Sequence, residues 1–323
     1  MKRIALLTSG GDAPGMNAAI RAVTRCALAE GWEVFGVQNG FAGLMADTLT
    51  PLLVRDVGGI IQRGGTVLGS ARSAEFMQRG GRERALENLA QRGADALIVI
   101  GGNGSQTGAA ALAQMGFPVV GIGSTIDNDL IGTDVTIGAD TAVNITLEAI
   151  DRLRTTASSH RHAFLVETMG RNCGYIALMA GIAGGADVIA IPEHEVDPQE
   201  AAEFLCAAYQ RGKTHALIVA AEGAQHGTQA MMRYFSSHRE AMGFGMRLTT
   251  LGHVVRGGVP TAADRLLATR LGAAAVAALA KKAHGVVVGM RGGQLAMTPL
   301  AEVAGHTKPA DKALLALARI LSK

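Results

Sequence analysis

Short apolar runs that alternate with helical segments restrict the fold of this sequence more than any other feature. The runs are RIALLT, VFGVQ, ALIVI, PVVGIG, AFLVET, VIAIP, HALIVAA and GVVVG. Each precedes roughly 10 to 20 residues with the 3.6-residue period of an amphipathic helix. Strands that are apolar along their whole length are buried on both faces, as in parallel sheets covered by helices. The pattern predicts an α/β protein with doubly wound, Rossmann-like sheets.

The length of the chain indicates more than one core. A chain of 323 residues exceeds the size at which a single hydrophobic core stops growing. The composition is evenly mixed and shows no repeat. We therefore expect two compact α/β domains, each with a parallel-rich sheet covered by helices.

Composition argues against several classes of function. The net charge is +3, no run of Lys and Arg exceeds two residues, and 4% of residues are aromatic, so nucleic-acid binding is not expected. Cys26, Cys173 and Cys206 form neither a CxxC pair nor an even disulfide set, which favours a reducing cytoplasm. The first apolar stretch is too short for a signal peptide, and residues 176–191 are interrupted by glycines and Asp187. We expect a cytoplasmic protein that binds no membrane.

The predicted strand ends are rich in glycine. Five loops that follow a strand contain it, mostly with an ionisable or hydroxyl side chain: TSGGDAPG (8–15), GGNGS (101–105), GSTIDND (123–129), ETMGRNCG (167–174) and AEGAQHG (221–227). Ligands of doubly wound folds bind at the carboxyl ends of strands. A single glycine loop would merely ease a turn, but five together favour backbone N–H groups that hold phosphate oxygens.

Two common nucleotide motifs do not fit these loops. The first loop reads GGDAPG instead of GxGxxG, and the second strand ends in Gln38 and Asn39, so no acid is placed to bind a ribose. The GKT at 212–214 lacks the first glycine of a P-loop, because Ala207 occupies that position, and it precedes a strand instead of following one. A nicotinamide dehydrogenase and a P-loop enzyme are both disfavoured.

The segment TIDND indicates the chemistry. Asp127 and Asp129 would point the same way in an extended segment, because their spacing is two. One carboxylate can act as a base toward a hydroxyl while the other orients that hydroxyl or a metal. Arg72 and Arg171 could neutralise the charge on a transferring phosphoryl group. These residues together predict phosphoryl transfer.

Several longer motifs run collinearly along almost the whole chain: TSGGDAPGMNAAIR, RGGTVLGSAR, TIDND, DRLRTTASSH, VETMGRNCG and LGHVVRGG. Together they resemble the bacterial ATP-dependent 6-phosphofructokinase family. The resemblance implies a glycolytic kinase that moves the terminal phosphate of ATP to the 1-hydroxyl of fructose 6-phosphate, with Mg²⁺, in an allosteric homotetramer. It implies two similar domains with the active site in the cleft between them: a nucleotide-binding domain at 1–138 plus about 255–305, and a sugar-phosphate-binding domain at 139–254 plus about 306–323.

The resemblance also assigns roles to residues in these motifs. Asp127 would take the proton of the sugar hydroxyl, and Thr125, Arg72 and Arg171 would complete the catalytic group. The residues implied to bind the nucleotide are Gly11, Arg72, Ser73, Gly102, Asn103, Gly104 and Ser105. Those implied to bind the sugar phosphate are Thr125, Ile126, Asp127, Asp129, His162, Met169, Gly170, Arg171, Glu222, Arg247, His253 and Arg256.

A third set resembles the effector-phosphate site of the family. Its members are cations, a glycine and an acid: Arg21, Arg25, Arg154, Gly185, Asp187, Arg211 and Lys213. Val54 stands where an arginine is common and Gly59 where an acid is common. We therefore expect a weakened effector site.

Asn103 replaces a residue of the family's metal site. ATP-using members of the family usually have an aspartate at this position, which helps to hold Mg²⁺. An amide oxygen lacks charge, so metal affinity should fall unless the phosphates supply most of the ligands. Pyrophosphate-dependent members are expected to carry an aspartate next to this position and a lysine before Thr125, both filling nucleotide space. This chain has Gly104 and Ser124 there, which favours ATP.

His162 is a second departure. It stands where a neighbouring subunit usually sends an arginine onto the sugar phosphate, so at least two chains would complete the site. A protonated imidazole would bind phosphate more weakly and in a pH-dependent way. Two alternatives stay open: a transferase that uses pyrophosphate or another phosphosugar, such as a seven-carbon ketose phosphate, and a catalytically silent sensor of sugar phosphates or nucleotides.

Overall fold

The computed structural model describes residues 2–160 and 162–321, in which strands and helices alternate along the chain. The strands are β1 (Arg3–Thr8), β2 (Glu33–Val37), β3 (Leu49–Pro51), β4 (Ala96–Gly101), β5 (Val119–Gly123), β6 (Ala163–Thr168), β7 (Val188–Ala190), β8 (Ala216–Ala221), β9 (Met246–Thr250), β10 (Val286–Arg291) and β11 (Gln294–Pro299). The helices are α1 (Met16–Ala29), α2 (Gly40–Met45), α3 (Arg79–Gln91), α4 (Asn103–Gln114), α5 (Ala139–His160), α6 (Tyr175–Ala183), α7 (Pro198–Gln210), α8 (Gly227–Ser237), α9 (Arg239–Met242), α10 (Ala262–Ala280), α11 (Leu300–Val303) and α12 (Lys312–Leu321). Short 3₁₀ helices cover Glu75–Met77 and Gly252–Arg256.

The chain divides into two compact units. The first unit comprises Met1–Thr141 and Arg256–Lys308, and the second comprises Ala142–Val255 and Pro309–Lys323. These limits fall near the predicted domain boundaries, whereas the ligand of each unit stays a prediction. Each unit has its own sheet with helices on it, so the predicted α/β class with parallel-rich sheets is confirmed.

The first unit contains a seven-stranded sheet in the order β11-β10-β5-β4-β1-β2-β3. The central strands pair in parallel, and β3 and β11 run antiparallel at the two edges. Every residue of β4 is buried, as expected for a central strand covered on both faces. The chain passes from β1 to β2 on one side and later to β4 on the other. The strand order therefore reverses between β1 and β4, the place where doubly wound sheets bind ligands.

The second unit contains a parallel four-stranded sheet in the order β7-β8-β6-β9. Alternate residues of β8 belong to different apolar clusters, because successive side chains of a strand point to opposite faces. Ile218 packs in one cluster with Leu205 and Phe235, whereas Val219 packs in another with Ile150. Both faces of this sheet are therefore covered, which explains the uninterrupted apolar runs in the sequence.

A buried carboxylate fixes the beginning of α5. Asp264 on α10 has no exposed surface, and its oxygens accept hydrogen bonds from the backbone N–H groups of Gly138 and Thr141, both at 2.8 Å. The hydroxyl of Thr141 donates to the same carboxylate. Burial raises the pKa of Asp264, and these hydrogen bonds oppose the increase. The first N–H groups of a helix have no acceptor within the helix. The Asp264 carboxylate, on a neighbouring element, is the acceptor here.

In the part of the chain that the structure describes, every helix falls short of the length and apolar character that membrane spanning requires.

Candidate active site

The loops after β1 and β4 lie side by side in the first unit. The backbone N–H of Ser9 donates to the carbonyl of Ile100 at 3.0 Å, and α4 begins immediately afterward at Asn103. A cavity of about 580 Å³ opens above these loops, a size typical of small-molecule sites. We call it the β1–β4 cavity; its lining includes Ser9–Gly11, Arg72, Ser73, Gly102–Ser105, Ser124, Thr125, Asp127, Asp129 and Arg256.

Glycine allows close approach at one end of the β1–β4 cavity. A Cβ on Gly11 would lie 2.2 Å from Nη1 of Arg256, so a larger residue there would require that guanidinium to move. Arg256 Nη1 donates to the carbonyl of Asp12 at 2.8 Å. The amino end of α4 faces the same end of the cavity, and helix amino ends present N–H groups and a partial positive charge to anions. This end of the cavity suits phosphate.

The other end of the β1–β4 cavity is apolar. The rings of Phe41 and Phe76 stack at a centroid distance of 4.0 Å, and Met77 lies beside them on the cavity wall. A Cβ on Gly108 would lie 2.9 Å from Phe41 and 3.0 Å from Phe76, so the stack depends on glycine at that position. By contrast, a Cβ on Gly104 would meet no atom within 4 Å. The space beside Gly104 is therefore open.

The prediction that Asp127 and Asp129 belong to an extended segment is wrong. Residues 126–127 form a turn, and Asn128 has a left-handed backbone with φ of 49°. Both carboxylates nevertheless line the β1–β4 cavity with Thr125, because the turn brings them to the same wall. Ile126 is completely buried, so its side chain faces the core and only its backbone could contact a sugar.

The amide of Asn103 contacts the second of these carboxylates. Its Nδ2 donates to Oδ2 of Asp129 at 2.8 Å and to the carbonyl of the same residue at 3.3 Å. Burial raises the pKa of Asp129, while the Asn103 hydrogen bond and the positive charge of Lys308 oppose the increase. Oδ1 of Asn103 is buried and accepts no hydrogen bond from the described residues. An oxygen acceptor is therefore left over beside the Asp129 carboxylate.

The second unit gathers several predicted sugar-phosphate residues at the carboxyl edge of its sheet. Met169, Gly170 and Arg171 follow β6, and Glu222 follows β8 directly alongside, with its N–H donating to the carbonyl of Thr168 at 2.9 Å. A Cβ on Gly223 would lie 1.9 Å from the carbonyl oxygen of Arg171, so these two loops are in contact. The residue His253 follows β9 at the same edge and is exposed.

His162 and Arg247 lie at the amino edge of that sheet, where its strands begin, opposite the carboxyl edge. His162 precedes β6, and Arg247 on β9 pairs with Phe164 near the beginning of β6. At about 3.3 Å per residue, the six residues of β6 separate this edge from Met169 by about 20 Å. One copy of the second unit therefore cannot bring His162 and Arg171 to the same small sugar-phosphate molecule.

The sequence of this chain is similar to that of known phosphofructokinases. The profile described as phosphofructokinase matches residues 3–279. The protein named ATP-dependent 6-phosphofructokinase 1 of Thermus thermophilus is 54% identical over 323 residues, which is 100% of each chain. The chain belongs to the phosphofructokinase family. The predicted resemblance is thus confirmed, and the chain is an enzyme of this family.

Solved phosphofructokinase structures share the fold. That of the Saccharomyces cerevisiae enzyme has a TM-score of 0.86 and 39% identity, with 94% of this chain covering 45% of the yeast chain. A pyrophosphate-dependent phosphofructokinase from Marinobacter aquaeolei has a TM-score of 0.85 at 24% identity, with 96% of this chain covering 86% of that one. Because both structures match so well, the family fold alone does not distinguish the phosphate donor.

The predicted effector residues of this phosphofructokinase fall in both units. In the second unit Arg154 donates to the carbonyls of Gly184 and Gly185, at 2.5 and 2.9 Å. Asp187 forms an ion pair with Lys213 and accepts from the N–H of Leu217 at 2.9 Å. The remaining effector candidates are Arg25 and Arg211, both exposed, and Arg21, which is partly exposed. The contacts with backbone and with Asp187 already engage two of the predicted phosphate-binding cations.

Sequence reasoning missed three polar residues that hold the site together. Asn128 and Thr136 are buried and hydrogen-bond across the TIDND turn, and Asp264 holds the segment that follows. Asn128 lies between Asp127 and Asp129 in the sequence, so its place in the TIDND motif was a local signal. Its partner Thr136 and the distant Asp264 had no local signal, because their contacts depend on how the chain folds back.

Proposed function

We propose that this phosphofructokinase transfers the terminal phosphate of ATP to the 1-hydroxyl of fructose 6-phosphate, giving fructose 1,6-bisphosphate in glycolysis. The observation that carries the proposal is that Asp127 and Asp129 line the same cavity as the glycine loops and Arg72. Phosphoryl transfer requires a positioned acceptor hydroxyl and positive groups around the phosphates, and the protein needs to do little covalent chemistry.

ATP is the proposed donor because the β1–β4 cavity has both a phosphate end and an apolar end. The stacked Phe41 and Phe76 and the side chain of Met77 form a wall suited to a purine ring, which pyrophosphate would leave unused. The open space beside Gly104 leaves room for the nucleotide, which agrees with ATP as the donor. The Thermus thermophilus relative, identical at 54% of positions, is named as ATP-dependent.

The proposed nucleotide-binding residues are those of the sequence analysis, and each lines the β1–β4 cavity: Gly11, Arg72, Ser73, Gly102, Asn103, Gly104 and Ser105. The backbone N–H groups at the beginning of α4 would hold phosphate oxygens. Arg72 is exposed at the cavity, where its guanidinium can reach the phosphate that moves.

Fructose 6-phosphate is the proposed acceptor. Asp127 would take the proton of its 1-hydroxyl, while Thr125 and Asp129 orient the sugar. The carboxyl edge of the second unit would supply Met169, Gly170, Glu222 and the cations Arg171 and His253, with Arg256 and the Ile126 backbone from the first unit. Arg171 and Arg72 would together neutralise the charge that moves with the phosphoryl group.

Mg²⁺ is the proposed metal, and the residues present fit it in a limited way. Among the described residues, no group of three or more His, Cys, Asp or Glu side chains could hold a metal by itself. The left-over Oδ1 of Asn103 and the Asp129 carboxylate are oxygen donors of the type that Mg²⁺ prefers, but they carry one negative charge between them. The nucleotide phosphates would therefore supply most of the charge. When bound, Mg²⁺ neutralises phosphate oxygens.

A homo-oligomer is proposed because the sugar-phosphate candidates of one unit lie at two opposite sheet edges. The length of β6 separates His162 and Arg247 from Arg171 within one copy, so the other edge would come from a second chain. A closed homotetramer provides such pairs symmetrically. The proposed compartment is the cytoplasm, where cysteines such as Cys26 and Cys206 remain thiols.

Regulation by an effector phosphate is proposed for the remaining cations. Arg154, Arg211, Lys213, Gly185 and Asp187 would form the part contributed by the second unit. Arg21 and Arg25 would come from the first unit. Because Lys213 is paired with Asp187, an incoming phosphate has to compete with that carboxylate, which favours weak effector binding.

One set of coupled assays tests the proposal. The purified chain is assayed with ATP or pyrophosphate as donor and with fructose 6-phosphate or a seven-carbon ketose phosphate as acceptor, and kcat/KM is compared. The highest value is expected for ATP with fructose 6-phosphate. A higher kcat/KM with pyrophosphate would overturn the donor, a higher value with the other sugar would overturn the acceptor, and no turnover with any pair would indicate a sensor.

A further inference from the structure

Asn128 occupies an unusual position between the two carboxylates of the site. It is 4% exposed, and its φ of 49° places it in the left-handed region that few residues other than glycine tolerate. Asn is one of those few, because its short polar side chain can hydrogen-bond locally. The left-handed residue bends the chain immediately after the turn at residues 126–127. Asp127 and Asp129 thereby reach the same wall of the β1–β4 cavity.

The side chain of Asn128 is held at both of its polar atoms. Oδ1 accepts the backbone N–H of Thr136 at 3.0 Å, and Nδ2 donates to the carbonyl of Asp134 at 3.1 Å. The two contacts also identify the amide oxygen and nitrogen, since the reverse orientation would oppose donor to donor and acceptor to acceptor. Asn128 therefore bridges the turn to the segment 134–136.

Thr136 completes the bridge from the other side. Its hydroxyl lies 2.6 Å from the carbonyl of Thr125 and 3.3 Å from Oδ1 of Asn128. A hydroxyl has one proton, so the shorter contact to Thr125 is the one in which it donates. Thr136 is fully buried. Its N–H and its hydroxyl thus hold two points of the turn, Asn128 and Thr125, on either side of Asp127.

The buried side chain of Ile126 supplies a third anchor. Between Thr125 and Asn128, Ile126 points into the core and Asp127 is left facing the cavity. We propose that Asn128, through its left-handed backbone and its bridge to Thr136, is a positioning residue that aims the carboxylates of Asp127 and Asp129 at the acceptor hydroxyl. This inference rests on the proposed kinase function.

Variants can separate the backbone contribution from the hydrogen bonds. Asn128→Gly keeps the left-handed backbone accessible but removes the bridge, whereas Asn128→Ala removes the bridge and also opposes the backbone conformation. Thr136→Val removes the hydroxyl at nearly constant volume, and Thr136→Ser keeps it. We expect kcat to fall about 10- to 100-fold in Asn128→Gly and Thr136→Val, because misplacement by about 1 Å can reduce a rate 100-fold. A larger loss is expected in Asn128→Ala, and recovery of most activity in Thr136→Ser.

The kinetic pattern distinguishes positioning from a merely structural role. A positioning residue acts on kcat, so kcat should fall while the KM for ATP stays within about threefold of the original. A merely structural role would lower the fraction of folded enzyme and leave the kcat per folded molecule unchanged, whereas a positioning role lowers the kcat per folded molecule. Equal kcat values for Thr136→Val and Thr136→Ser would overturn the role of the bridge.

A crystal structure of Asn128→Gly tests the positioning role of Asn128 independently of the proposed kinase function. Displacement of either carboxylate by about 1 Å relative to the unaltered protein would support positioning, because that distance changes reactivity. Carboxylates that superpose in the two crystals would overturn it, whatever reaction the protein catalyses. If the unaltered protein fails to phosphorylate fructose 6-phosphate, the proposed function is wrong, and the crystals still decide whether Asn128 aims the carboxylates.

Discussion

Nδ2 of Asn103 donates a hydrogen bond to Oδ2 of Asp129 at 2.8 Å. An ionised aspartate at position 103 would have no proton to donate, so this contact depends on the amide that departs from the family pattern. Two facing carboxylates would repel unless a cation lay between them. The amide instead stabilises the buried Asp129 carboxylate directly and leaves its own Oδ1 as an acceptor. We expect this exchange of a charge for a hydrogen bond to weaken metal binding at the proposed site.

The substitution Asn103→Asp should increase the affinity for Mg²⁺. The added carboxylate supplies charge that a hard cation prefers, and the repulsion from Asp129 is relieved when the cation binds. We expect the half-saturating free Mg²⁺ to fall about 5- to 30-fold, since the effect of one added charge is on the order of 1–2 kcal/mol at an effective dielectric constant near 20 after desolvation. The measurement is initial rate against free Mg²⁺ at saturating nucleotide.

The double variant Asn103→Asp with Asp129→Asn is the matched control. It restores one amide and one carboxylate in exchanged places, so the half-saturating Mg²⁺ should return toward its original value. An unchanged metal requirement in both variants would show that residue 103 is remote from the metal.

Asp129 should make stability depend on pH. Burial raises the pKa of this carboxyl above its ordinary value of 3.8, so the folded state binds more protons than the unfolded state just above that pH. The free energy of unfolding contributed by Asp129 therefore falls as pH rises from 3.8 through the raised value. The variant Asp129→Asn lacks this titration. Its stability relative to the unaltered protein should increase across the window and then stay constant.

Urea unfolding midpoints of both proteins between pH 4 and pH 7 provide the measurement. Asp264 also has a pKa raised by burial, but it is present in both proteins and cancels in the difference. A difference that is the same at every pH would mean that Asp129 does not titrate as proposed.

Asp127→Ser should abolish most turnover while leaving ligand binding intact. Loss of a general base typically reduces the rate by about 10² to 10⁴, because the hydroxyl must then lose its proton without help. Asp127→Asn serves as the isosteric partner, since it keeps the shape and removes the basicity. The values to compare are kcat from coupled assays and Kd for fructose 6-phosphate from calorimetry. Turnover equal to that of the unaltered protein would remove Asp127 from this role.

The sequence predicts the fold well because each strand is short, uniformly apolar and followed by a helix. Burial on both faces leaves such a pattern no alternative, and the eight predicted apolar runs all contain observed strands. The edge strands β3, β9 and β11 were not predicted. Most of their residues are at least partly exposed, and they mix polar with apolar residues, so their hydropathy resembles that of loops.

The site was predicted less completely than the fold. Glycine loops and aspartates are local signals, and Gly11, Asn103 and Asp127 do line one cavity. The relative direction of the TIDND side chains was argued from an extended segment, whereas the left-handed Asn128 makes a turn. A conformation that depends on contacts with Thr136, eight residues along the chain, cannot be read from the spacing of two aspartates.

Gly108→Ala should weaken ATP binding selectively. The new methyl group would lie 2.9 Å from Phe41 and 3.0 Å from Phe76, so one ring must move into the apolar end of the cavity. We expect the KM for ATP to rise about tenfold, which corresponds to about 1.4 kcal/mol, while the KM for fructose 6-phosphate stays nearly constant. Gly80→Ala is the control, because a Cβ there meets no atom within 4 Å. Equal KM values for ATP in the two variants would contradict the assignment of the aromatic end to the nucleotide.

Subunit complementation tests whether two chains complete the sugar-phosphate site. Arg171 and Arg247 lie at opposite edges of one sheet, so Arg171→Ala and Arg247→Ala damage different halves of a shared site. Each variant alone should be nearly inactive. In a hybrid, the carboxyl edge of one chain and the amino edge of the other are both intact at one of every two sites. Random pairing should therefore restore about a quarter of the original activity when sites are shared by two-fold symmetry.

The double variant Arg171→Ala with Arg247→Ala, co-expressed with the unaltered chain, gives the opposite result if sites are shared. Every site in such a hybrid has one damaged half, so the unaltered chains lose activity in proportion to their incorporation into hybrids. If each chain carried its own complete site, the two single variants would stay inactive together and the unaltered chain would keep its activity beside the double variant. Rates per intact chain, measured on hybrids purified through two different affinity tags, distinguish the two arrangements, since a site built across two copies couples their substitutions and a self-contained site does not.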